Sequence, residues 1–142
     1  MRRIVSNTPV APRAVSAAGR ASGALFVGAG AFQVALAAGM PWGHLAWGGG
    51  HPGVLPVGLR AASAANAVLL SGLGVALAGL VERPPVRGRL VAGGLAFSGF
   101  SLVANLATPS STERAIWAPF ALAQLVLLGT ARRAEADRSP CR

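Results

Sequence analysis

"ASGALFVGAGAFQVALAAGM", residues 21–40, runs for twenty residues without a charge. As a helix it would cover about 30 Å, the thickness of a bilayer's hydrocarbon core. A membrane-crossing strand would need about half that length and would alternate apolar with polar residues, which this run does not do. A helix also satisfies its own backbone hydrogen bonds, the condition for crossing lipid. The reading of this one stretch decides the fold, because three more like it follow at 61–81, 90–107 and 115–131, each free of charge.

Composition agrees. The 142 residues are 53% apolar and only 12% charged, with a mean hydropathy of +0.54. A soluble domain carries about twice that charge. The rival, a soluble helical core, would have no polar coat to cover it. The sequence therefore predicts an all-α, polytopic membrane protein: a four-transmembrane-helix bundle within 21–131. Residues 1–20 form a disordered arm before it, 41–60 a structured outer loop, and 132–142 a basic tail. A cleaved signal peptide is the competing reading of the N-terminal segment, since "ALAAGM" offers small residues at a cleavage spacing, but the apolar run and the segment before it are both long for one.

The net charge of +9 raises nucleic acid as a partner, yet its placement argues for topology. All thirteen basic residues are arginine. Arg2, Arg3, Arg13 and Arg20 precede the first run, Arg83, Arg87 and Arg89 separate the second from the third, and Arg132, Arg133, Arg138 and Arg142 follow the fourth. Only Arg60 and Arg114 fall on the opposite side. Basic residues near helix ends stay cytoplasmic, so both termini are expected inside, near anionic lipid head groups. Trp42, Trp47 and Trp117 all fall at the outer side, where indole rings anchor at the interface. The expected setting is a bacterial inner (cell) membrane, with the bilayer as partner and no nucleic acid; the all-Arg, Ala- and Gly-rich usage points to a high-GC bacterial genome. The single Cys141 lies in the tail and allows no internal disulfide.

Links and seams follow. "ERPPVRGR" and "TPSSTER" are short, so the helices they join should pack antiparallel. Pro84–Pro85 is read as the stop of the second helix, Pro41 as that of the first, and Ser111 or Thr112 as the cap of the fourth with Glu113 near its N-terminus. Small residues allow close helix approach in lipid: Gly28 and Gly30 on the first helix, Ser71, Gly72, Gly74 and Gly79 on the second, Gly93 and Gly94 on the third. No internal repeat is evident.

Each helix carries one amide: Gln33, Asn66, Asn105 and Gln124. The first three should lie in the outer half, with Gln124 nearer the midplane. Gly94, Ser98, Ser101 and Asn105 step by 4, 3 and 4 along one helical face, and Ser63 and Asn66 by 3. Polar side chains in a membrane need partners. They are either interhelical glue or the lining of a pocket for a small amphiphile, to which Gln33, Asn66, Ser98, Ser101, Asn105, Trp42, Trp47 and Arg60 would contribute. No ionisable residue lies between the helix ends, which separates this chain from the small multidrug resistance transporters and their embedded glutamate.

"PWGHLAWGGGHPGVLP", residues 41–56, holds two histidines and five glycines. His44, His51 and the distant Glu113 fall short of a metal set, so neither a metal nor a cofactor is assigned. The same three, with Ser110 or Ser111, can be written as a triad, but no nucleophile elbow accompanies them, and they remain weak catalytic candidates. As structure the stretch reads as a lid: tryptophans at the interface, glycines for reversals, and Arg60 snorkelling at the mouth.

"GMPWGHLAWGGGHPGVLPVGLRAASA", the later Asn105, "SSTERAIWAP" and the short basic tail resemble a group of small uncharacterised bacterial four-helix integral membrane proteins. These share a Pro-Trp-Gly and Trp-Gly-Gly outer loop, and the similarity covers roughly 25–133. It implies four membrane helices and carries no activity. The expectation is a non-enzymatic accessory or small-lipophile-binding protein. The alternatives are a membrane-embedded enzyme acting on a lipophilic substrate at the outer face, and a self-associating channel or transporter subunit (a homo-oligomer, or one built with a partner membrane protein).

Overall fold

A computed structural model describes residues 15–81 and 83–137. The first fourteen residues of the expected arm, and Cys141 with the end of the tail, lie outside the described residues. Ser16 opens the bundle by accepting the Gly19 N–H on its hydroxyl at 3.1 Å, as an N-cap does. From there α1 (Ala17–Ala38) runs to Gly39, whose φ of 101° only glycine adopts cheaply. The Gly39 N–H donates to Leu36 O and the Met40 N–H to Ala35 O, so the last turn closes on itself. The stop expected at Pro41 is thus made earlier, by a left-handed glycine. At the other end the helix reaches back into the segment assigned to the arm.

The second helix, α2 (Val57–Val75), starts inside the span assigned to the loop, which places Arg60 in its first turn. It continues as a π-helical turn, Ala76–Leu80, and breaks at Gly79 with φ 142°. Pro84 and Pro85 do not stop it. They occupy the first positions of α3 (Pro84–Ala107), where a missing N–H costs nothing. The fourth helix, α4 (Ser111–Asp137), takes in 132–137, part of the expected tail. Its cap is Ser110, whose hydroxyl accepts the Glu113 N–H at 3.2 Å, rather than Ser111 or Thr112.

These four antiparallel helices form an all-α bundle, and each is long and apolar enough to cross a membrane. Its outer surface carries large apolar side chains, Val34, Val68, Phe100 and Val103 among them. The packing is that of two pairs: α1 lies against α2 and α3 against α4, and α1 joins the pairs through α4. The tightest seam is α1–α2. A Cβ on Gly23 would come within 2.5 Å of Gly74 O, one on Gly74 within 2.6 Å of Gly23 O, and one on Gly30 would overlap the Ser71 hydroxyl. Gly28, Gly72 and Gly93, expected at seams, face open space instead. Helical rotation decides this: Gly23 and Gly30 lie seven residues apart on one stripe, and Gly28 lies off it.

Between α2 and α3 contact is slight except at the π-helical turn. That turn frees the Leu77 carbonyl, which accepts from Arg87 Nη1 at 3.2 Å. Arg87 Nε also donates to Glu135 at 2.6 Å, with Arg87 only 7% exposed. An arginine read from sequence as a topology marker is therefore a buried clamp joining α2, α3 and α4. A Cβ on Gly19 would lie 2.8 Å from its Nη2, so α1 leaves room for it as well.

Candidate functional site

The loop between α1 and α2 is built to stay closed. Gly43 donates to Gly53 O at 2.9 Å, and a Cβ on Gly43 would overlap His51 O. Ala46 and Leu55 bury themselves against Leu36, with Trp42 and Phe32 around them. Trp42 lies stacked on Phe32, ring centroids 6.0 Å apart. Gly49, at φ 72°, sits so close to Ser110 that a Cβ would come within 2.6 Å of it. Trp47 itself has φ 57°, a costly conformation for a bulky residue.

Two indoles latch this loop to the helices. Trp47 Nε1 donates to the buried Ser63 Oγ of α2 at 3.1 Å, and Trp117 Nε1 of α4 donates to Leu45 O at 2.6 Å. Trp47 thus spends its N–H on the bundle. Arg60 caps rather than gates: its Nε donates to Ala37 O at 2.9 Å, satisfying a carbonyl at the end of α1.

Beneath the loop lies a cavity of about 460 Å³, within the range of small-molecule sites. From α1 it is lined by Phe26, Ala29, Phe32 and Gln33; from the loop by Ala46 and Trp47; from α2 by Asn66 and Leu70. From α3 come Phe97, Phe100, Ser101, Ala104 and Asn105, and from α4 Glu113, Trp117 and Phe120. Every phenylalanine of the chain borders this cavity, with two of its three tryptophans, although Phe100 is mostly exposed and touches it only at the rim. Trp117 is the hub of the rings, 4.9 Å from Phe32 and edge-on to Phe120 at 5.5 Å.

Of the residues expected to bind a ligand, Gln33, Asn66, Ser101, Asn105 and Trp47 line this cavity. Ser98, Trp42 and Arg60 do not: Ser98 is buried one turn deeper in α3, and the other two serve the loop. His44 and His51 are exposed on the loop and do not reach the cavity, although Glu113 does. The three are therefore not brought together, and among the described residues no group of three or more His, Cys, Asp and Glu could hold a metal. Of the polar face of α3, Ser101 and Asn105 line this cavity, and Gly94 and Ser98 do not.

The polar chemistry is lopsided. Gln33 Oε1 is buried with no hydrogen-bond partner. Asn105 spends its amide hydrogens on Ser101 O and Oγ, at 2.7 and 3.1 Å. Glu113 is 8% exposed, and its Oε2 accepts from the Thr108 hydroxyl at 3.1 Å. Sequence reading missed the aromatic lining. The signal was there: Phe97, Ser101, Asn105 on α3 and Glu113, Trp117, Phe120 on α4 recur at three to four residues, each putting rings on the polar face.

Comparison with protein-family models, curated proteins and solved structures gives no match for this chain.

Proposed function

We propose that this is a multi-pass protein of a bacterial inner membrane that binds a small lipophile in the cavity under its loop, without catalysing a reaction. The observation that carries this reading is the cavity itself: Phe26, Phe32, Phe97, Phe120 and the orphaned Gln33 oxygen converge on one space of about 460 Å³. Leaving a buried acceptor unpaired costs about 1–3 kcal/mol, so a fold that keeps one beside a roomy cavity gains by binding a donor there. The slight contact between α2 and α3 supplies a side entrance for a molecule dissolved in the bilayer. Both termini face the cytoplasm in this reading. Arg20, Arg83, Arg87, Arg89, Arg132 and Arg133 mark one end of the bundle, against Arg60 and Arg114 at the other, and the arginine-rich end sits against anionic head groups. The likeness of the Pro-Trp-Gly loop to small bacterial four-helix membrane proteins supports four membrane helices and no more.

The test uses Trp47 and Trp117 as reporters. In nanodiscs, a terminally brominated decanol should quench tryptophan fluorescence saturably, and Ala104→Phe, which fills the cavity, should remove the saturable part. Quenching that rises linearly with alcohol content, identical in both proteins, would overturn the reading.

A further inference from the structure

The reading of the cavity as a binding site leaves the ligand's charge and shape open, and the polar groups bear on both. Among the residues lining the cavity Glu113 alone is charged. Neither Arg60 nor Arg114 lines the cavity or is ion-paired with Glu113; they bond Ala37 O and, at 2.8 Å, Thr108 O. Among the described residues the only ion pair is the one between Arg87 and Glu135, at the far end of the bundle. A carboxylate buried this deep among rings is costly unless a counter-charge sits against it.

Among the neutral groups the amide nitrogens of Gln33 and Asn66 remain as donors, but they carry no full charge, so Glu113 decides the sign. The indole N–H donors of Trp47 and Trp117 are given to Ser63 and Leu45, and the Asn105 donors to Ser101. Gln33 Oε1 is left as an acceptor with no donor. The site's charge preference therefore rests on a carboxylate, one orphaned acceptor oxygen and the faces of aromatic rings, which together attract a cation. An anion would find no positive partner there.

Shape comes from a second space. A groove of about 490 Å³ between α2 and α3 shares Leu70 and Phe97 with the cavity and continues toward the opposite end, past Val68, Leu73 and Leu90 to Arg89. Its walls are apolar up to that arginine, which repels a cationic head and so fixes which way round a ligand lies. We infer that the ligand is a single-chain organic cation of the alkylammonium class, with its head against Glu113 and Gln33 and its chain along the α2–α3 groove. This rests on the cavity being a binding site, and it adds the charge and the shape.

Decylammonium, decanol and decyl sulfate share one chain and differ in head charge. Their binding to the protein in nanodiscs of zwitterionic lipid is compared by mole fraction in the bilayer. The wild type should bind in the order ammonium, alcohol, sulfate, with ammonium about tenfold ahead of alcohol, the scale of a charge-assisted bond. Glu113→Gln, which keeps an acceptor for Thr108, should erase the preference, so that decylammonium and decanol bind alike. Equal affinity for ammonium and alcohol in the wild type, or a preference that survives E113Q, overturns the cation inference while the cavity reading stands. Saturable binding of none of the three overturns both. If E113Q binds neither ligand, the wild-type order decides alone: any order other than ammonium, alcohol, sulfate refutes the inference.

Discussion

The two ends of this bundle are built on opposite rules. At the end holding the described termini, helices touch backbone to backbone at Gly23 and Gly74, and Ser22 and Gln124 exchange two hydrogen bonds. There Arg87 fills what remains, bonded to Glu135 and to Leu77 O. At the loop end the same four helices are held apart by rings around a cavity, and the amides bond within their own helix or not at all. In a bilayer, which supplies no hydrophobic push between helices, close approach and polar pairing would have to hold them together. One end concentrates those contacts. The other is thereby free to keep a space, and its loop, latched by Trp47 and Trp117, takes over the work of holding the helix ends.

The sharpest way to break this contrast is to put bulk at each end. Gly74→Leu drives a side chain into the Gly23 carbonyl and should cost about 3 kcal/mol or more, as strong overpacking does. Ala104→Leu adds similar volume facing the cavity and should stay within about 1 kcal/mol of wild type, since there is room to receive it. Denaturation of the two variants in the same detergent, followed by circular dichroism, gives the comparison. Similar losses at both sites would mean that the loop end is as tightly packed as the other.

A smaller effect tests the polar half of the contrast. Ser22 Oγ donates to Gln124 Oε1 at 2.7 Å, and Gln124 Nε2 donates back to Ser22 O at 3.3 Å, with Gln124 only 1% exposed. A double-mutant cycle of Ser22→Ala and Gln124→Leu should return a coupling of about 0.6–2 kcal/mol, the range for interhelical bonds in membranes. A coupling near zero would mean that Gln124 is buried there for its volume alone.

How much of this was legible in the sequence differs by level. Four charge-free runs suffice for four helices, because bilayer thickness is a coarse ruler. Where each helix ends depended on single residues: Gly39 and Gly79 in left-handed backbone, Pro84 at a helix start, Ser110 one step before the residues proposed to cap. Gln33, Asn66 and Asn105 fall at the end of the bundle that holds the cavity, because depth follows from position along a helix. Rotation was harder. Ser98 shares a stripe with Ser101 and Asn105 but sits a turn deeper, where α3 closes on α4 near Gly94 and Leu128. Arg87 lay beyond reach altogether, since its burial depends on the carbonyl released when α2 ends in a π-helical turn. Nothing in the residues around it announces that turn.

The smallest expected change carries the most information about the loop end. Gln33 and Gln124 are the same residue type on helices that pack together, yet Gln124 is fully engaged while Gln33 Oε1 has no partner. If both were glue, Gln33→Leu and Gln124→Leu should each lower stability. If Gln33 is kept for a ligand, removing it deletes an unsatisfied buried acceptor, and replacing such a group with an apolar one of similar shape is nearly neutral or stabilising. Gln33→Leu should therefore leave the thermal midpoint unchanged or raise it, while weakening retention of decylammonium, and Gln124→Leu should lower the midpoint. A fall in stability for both variants would give Gln33 a structural partner and return the amides of the loop end to the role of glue.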